Sequence, residues 1–172
     1  PIVKEKTTLQ ASLRSTYSNW LIHSIRTDYV NLSHSNVSFY DATLKLTHFF
    51  SPRTRLSLTG YASHDALRLI GDSTYQWNNR QLSLRLDHQF SPVLNGEFVL
   101  GAGGYNYHLL NNDVLSPSQL SFDLTAIVAR AQFHYQREKH KLSFGAQFMP
   151  YLFDPGTLQP GSSKSTVAYV KL

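Results

Sequence analysis

The chain of 172 residues has no cysteine. A disulfide scaffold and any thiolate metal site are therefore excluded, and the redox compartment is left open. A single methionine stands against ten tyrosines and ten phenylalanines, a balance that favours sheet over helix. No apolar run approaches the roughly 20 residues that a membrane-spanning helix needs. The opening PIVKEKTTLQ lacks the apolar core of a secretory leader. If the protein is exported, the chain is expected to be a mature or internal piece. Net charge is +5 and only 16% of residues are charged. No lysine–arginine block is present, and Arg137 to Lys141, REKHK, reads as a hairpin turn. Nucleic-acid binding is not expected.

What the chain does have is a pattern written twice. Ser38 to Asp65 reads SFYDATLKLTHFFSPRTRLSLTGYASHD, and Asn79 to Tyr107 reads NRQLSLRLDHQFSPVLNGEFVLGAGGYNY. Each copy is a long alternating run, a Phe-Ser-Pro turn and a second alternating run. Leu44, Leu46, His48 and Phe50 fall on one face of the first run, and Asp41, Thr43, Lys45 and Thr47 on the other. Leu82, Leu84, Leu86, His88 and Phe90 are likewise opposed to Gln81, Ser83, Arg85, Asp87 and Gln89. Apolar and polar residues at period two mean β-strands with one apolar and one wet face. The runs exceed the ~5–6 residues of an ordinary strand. They match the ~9–11 of a strand that crosses a bilayer at a tilt. The mean hydropathy of −0.29 fits a barrel in which only alternate residues face lipid.

Eight strands are expected. They run from Thr7 to Ser15, Ser38 to Phe50, Arg55 to His64, Asn78 to Phe90, Gly96 to Tyr107, Phe122 to Gln136, Lys141 to Tyr151 and Thr166 to Leu172. A short helix is expected within Tyr17 to Ile25. Gly101, Gly103 and Gly104 suggest a bulge or the close approach of another backbone. Turns of about four residues follow strands two, four and six, and connections of roughly ten or more follow the others. That alternation is expected of an antiparallel up-and-down transmembrane β-barrel segment, with short periplasmic turns and long extracellular loops. Residues 1–172 are expected to form part of one such barrel domain.

Charge toward lipid is costly, so Arg14, Asp41, Lys45, Arg55, Arg85, Asp87 and Arg130 are expected to face a lumen. Phe50 and Phe90 are assigned to one interfacial aromatic girdle, and Tyr61, Tyr105 and Tyr107 to the other. His64-Asp65 and Asp87-His88 look like acid–base pairs, but adjacent strand residues point to opposite faces. The eight histidines show no ligand spacing. No catalytic residue, metal or cofactor is assigned, and the chain is not read as an enzyme.

Several ordered motifs lie along the chain. They are Pro1-Ile2; Arg14, Tyr17, Trp20 and Leu21; Phe39, Tyr40, Asp41 and Lys45; Ser51 to Tyr61 with Asp65; and Asn79 to Ser91. On these the chain resembles the barrel region of Bacteroidetes-type TonB-dependent outer-membrane receptors. One departure is Leu86-Asp87, where members often carry Trp-Asn before the histidine. The resemblance implies an outer-membrane location and a barrel of about 22 strands around a plug. It also implies import of a scarce ligand, driven by a TonB-type energy-coupling complex. The chain would then be an internal third of the barrel, without plug. Its expected partners are outer-membrane lipid, the plug domain and the remaining strands, and the transported ligand stays open. Two alternatives remain: a complete eight-stranded outer-membrane barrel (an adhesin or a lipid-modifying enzyme), and a soluble β-sandwich that binds carbohydrate.

Overall fold

A computed structural model describes residues 2–4, 6–16, 24, 35–68, 73–111, 118–158 and 165–171, with 158 and 165–171 described as backbone. The strands are β1 (Thr7–Ser15), β2 (Asn36–Ser51), β3 (Thr54–Arg68), β4 (Ser73–Ser91), β5 (Leu94–Asn111), β6 (Ser118–Arg137), β7 (His140–Asp154) and β8 (Ser165–Lys171). They form one open antiparallel sheet in the order β1-β2-β3-β4-β5-β6-β7-β8. Every strand pairs with its neighbours in sequence. Among the described residues β1 pairs only with β2, and β8 only with β7.

The short hairpins follow from local chemistry. Pro52 presets the backbone of the β2–β3 turn, and the Ser51 hydroxyl accepts the Arg53 N–H at 3.2 Å. The second copy repeats this, with Ser91 accepting the Val93 N–H at 3.3 Å. Both hairpins carry a register shift just before the turn, at Phe49/Ser51 and Gln89/Ser91. In the third hairpin Glu138 takes a left-handed φ of 50°.

The strands run further than period-two alternation indicates. The expected loops Leu67 to Gln76 and Leu109 to Ser121 are largely strand, because β3 reaches Arg68, β4 starts at Ser73, β5 reaches Asn111 and β6 starts at Ser118. The connection after β3 is thus residues 69–72, shorter than the ten or more expected. Alternation reports one-sided burial, whereas the ladder needs only backbone hydrogen bonds. Above the apolar band both faces are mixed, so periodicity fades while pairing continues. The glycine-rich stretch of β5 holds no bulge, since its register with β4 and β6 is unbroken there. A Cβ on Gly101 would lie 3.0 Å from Val128 Cγ1 and 3.3 Å from the Leu82 carbonyl oxygen, so close approach is the reason for that glycine. The β6–β7 ladder is interrupted opposite Met149 and Pro150, where proline has no N–H to give. The expected helix within Tyr17 to Ile25 lies outside the described residues except for Ser24, which is helical.

One row of register partners crosses the sheet: Leu9, Leu46, Leu58, Leu84, Leu100, Ala129 and Phe148. The row below it holds His48, Leu56, Leu86 and Phe98, and the row above holds Leu44 and Leu82. Together they make one apolar face. Nothing covers it. Among the described residues no apolar side chain but Pro155 is buried, and Leu82 and Leu100 are 57% and 60% exposed. There is no second sheet for it to pack on, so the described residues do not form a β-sandwich.

The sheet is also sheared. Relative to the leucine row, Thr7 precedes Leu9 by two residues, Thr54 precedes Leu58 by four, Leu94 precedes Leu100 by six and His140 precedes Phe148 by eight. The short-turn ends therefore step by one residue per strand.

Candidate functional site

The wet face carries an ion network across four strands. Alternation puts Arg55, Arg85, Asp87, Glu97 and Arg130 on that face, and the register brings them together near the short turns. Asp87 and Glu97 are direct cross-strand partners, a pairing of like charges that would be unfavourable alone. Arginine resolves it. Arg85 lies 2.8 Å from Asp87 and 2.8 Å from Glu97. Arg55 contacts the far side of Asp87 at 2.9 Å, and Arg130 pairs with Glu97. Three guanidinium groups thus surround two carboxylates. Arg55, Arg85, Asp87 and Glu97 border a cleft of about 390 Å³ with Asn95 and His134.

The other expected wet-face residues lie apart. Arg14 and Asp41 form a separate pair at 2.6 Å, and the Arg14 guanidinium sits 5.4 Å from the centre of the Phe39 ring. Lys45, between Gln10 and Thr59, makes no ion pair among the described residues. Glu97, central to the network, was not singled out in the sequence. Its direct opposition to Asp87 across a four-residue hairpin was the available signal.

Phe50 and Phe90 lie on the apolar face at the short-turn end. Each takes the ring of the histidine two residues earlier edge-on, His48 and His88, both at 4.6 Å. Each histidine Nδ1 is hydrogen-bonded to a cross-strand threonine, Thr7 at 2.8 Å and Thr54 at 2.9 Å. Phe90 continues the aromatic line through Phe98 and Phe133 to Phe144. Tyr61, Tyr105 and Tyr107 are placed differently from the expectation. Their register partners, Gln81, Asn79 and Trp77, belong to the opposite parity from Leu82 and Leu84. All three tyrosines therefore share the wet face with Arg85 and Asp87 and form no ring with Phe50 and Phe90. Tyr105 and Tyr107 pack on Phe122, at 5.9 and 5.2 Å.

Nothing in this arrangement resembles a catalytic dyad. Asp87 is engaged by arginines, while His88 is on the other face with Thr54. His64 Nδ1 donates to Asn78 Oδ1 at 2.6 Å, and Asp65 is on the opposite face. Among the described residues no three His, Asp or Glu side chains cluster as metal ligands would. What the network offers is a fixed field with a surplus of one positive charge. No protein-family model, curated protein or solved structure matches the chain.

Proposed function

We propose that this chain is a wall segment of an outer-membrane β-barrel, non-enzymatic, in a receptor of the TonB-dependent type. The observation that carries the membrane reading is the uncovered apolar face, sheared by one residue per strand. A rise of ~3.3 Å per residue against a strand spacing of ~4.8 Å converts that stagger into a tilt of roughly 35°. Transmembrane barrels tilt by about 35–45°. Tilted so, the short turns fall in one plane and the apolar rows form a continuous band. The His–Phe line then borders the band at its lower edge, where aromatic belts sit. The ion network faces the lumen, where charge is hydrated.

The two sheet edges bear on the extent of the barrel. Unpaired backbone N–H and C=O groups in hydrocarbon cost several kcal/mol each. A barrel closed by these eight strands alone would need a β1–β8 ladder. We therefore assign the chain to a larger wall whose further strands flank β1 and β8. The receptor class, its plug, its energy-coupling complex and its imported ligand rest on the sequence resemblance.

Membrane fractionation tests this reading. The chain should stay with outer membranes after alkaline carbonate extraction and run faster on a denaturing gel when unheated. Release by carbonate, or a soluble monomer without detergent, would overturn it. An intact mass equal to that of these 172 residues would overturn the wall-segment assignment.

A further inference from the structure

The outward face is not apolar throughout. Two rows above the apolar band, polar side chains join across four strands. His64 donates to Asn78, Asn78 Nδ2 to Asn106 Oδ1 at 3.2 Å, and Asn106 Nδ2 to Asp123 Oδ1 at 2.5 Å. Tyr40 packs on His64 at 5.2 Å. All donors in the relay point toward Asp123, so its members polarise one another in one sense. Asp154 is the cross-strand partner of Asp123, which makes that end acidic.

Arg80 lies on the same face, one row lower, directly above Leu82. Its cross-strand neighbours are Ala62 and Gly104, so no large side chain flanks it. Arg14, Arg55, Arg85 and Arg130 each have a carboxylate partner; Arg80 has none among the described residues. Arg80, Asn78, Asn106, Asp123 and Thr125 line one cleft of about 310 Å³. A cation and an anion thus stand at the two ends of a polar cleft, with Leu82, Ala102 and Ile127 immediately below.

We propose that this cleft binds the headgroup of a membrane lipid carrying phosphoethanolamine. The inference rests on the membrane reading above. The phosphate would meet Arg80, the guanidinium being suited to bidentate contact with phosphate oxygens. The ammonium would donate to Asp123. The acyl chains would run over the apolar band. A purely anionic headgroup would meet Asp123 and Asp154, and a choline headgroup has no N–H to donate.

The test uses the protein in detergent, offered phosphatidylethanolamine, phosphatidylglycerol or phosphatidylcholine, with retained lipid counted by native mass spectrometry. Phosphatidylethanolamine should be retained about ten-fold over the other two, equivalent to about 1.4 kcal/mol. Arg80→Gln and Asp123→Asn should each abolish that preference, whereas Arg80→Lys should keep part of it and Lys45→Gln all of it. Gel mobility of unheated samples checks that each variant is folded. Equal retention of the three lipids, or unchanged preference in Arg80→Gln and Asp123→Asn, would overturn the proposal. So would full displacement of the lipid by millimolar soluble phosphoethanolamine, which would make this a free-headgroup site. Vesicle flotation of the same preparation separates the two readings. Protein that floats without lipid preference refutes the cleft alone, and protein that does not float refutes both.

Discussion

Replacing Leu84 by arginine probes the centre of the account. Leu84 sits midway along β4 between Arg80 and His88, four residues from each. At ~3.3 Å per residue that is about 13 Å along the strand in each direction. With the strand tilted by roughly 35°, the polar levels lie about 11 Å above and below. An arginine side chain reaches only part of that distance, so snorkelling gives incomplete relief. The levels themselves are about 22 Å apart, close to the ~25 Å apolar band of outer-membrane barrels. Leu84→Arg should therefore cost ~2–4 kcal/mol, the range for arginine near the bilayer midplane. Ser83→Arg is the control. Ser83 is one residue away, points to the wet face and has Thr59 and Gly101 as cross-strand partners. Its cost should stay within about 0.5 kcal/mol, as for surface positions generally. Reversible urea unfolding in lipid vesicles reads both. Equal costs at the two positions would refute the assignment of faces.

Three further outcomes follow from the contacts. Glu97→Gln should destabilise more than Asp41→Asn in the same assay, because it leaves Arg130 without a carboxylate partner and removes one of the two that hold Arg85. Asp41→Asn, whose Arg14 partner is 70% exposed, should cost only ~0.2–1 kcal/mol. Gly101→Val should cost ~1–3 kcal/mol by overpacking against Val128 and the Leu82 carbonyl. Gly104→Ala should be nearly neutral, since an added Cβ meets only the Leu124 carbonyl oxygen at 4.0 Å. Phe90→Ala should cost more than Phe50→Ala, because Phe90 also packs on Phe98 and Phe133 while Phe50 has only His48 among the described ring contacts.

Much of the fold was legible because a strand's side-chain period is two. The parity of Leu44, Leu46, Leu84 and Leu86 put them on one face, and the two Phe-Ser-Pro turns set the hairpins. Distance along a strand misled where parity should have decided. Tyr61, Tyr105 and Tyr107 lie toward the long connections, but their odd numbers put them with Ser63, Asn79 and Arg85. Arg80 shows the converse. It breaks the alternation by sharing parity with Leu82 and Leu84, and that break marks where the apolar band stops. The Asn78–Asn106–Asp123 relay could not be read from one strand at a time, since it exists only in the register between strands. The extra length of β3 to β6 was hidden for a related reason, because pairing persists where neither face is uniformly apolar.

These 172 residues carry no cysteine, so a thiol introduced among them is the only one in this stretch. Single cysteines at Leu58, Leu84 and Leu100 probe the apolar face, and single cysteines at Thr59, Ser83 and Val99 probe the wet face one residue away. In lipid vesicles a membrane-impermeant, water-soluble maleimide should label the second set and spare the first until the protein is denatured. Labelling of Leu58→Cys, Leu84→Cys and Leu100→Cys at the same rate as their neighbours would contradict a lipid-facing wall.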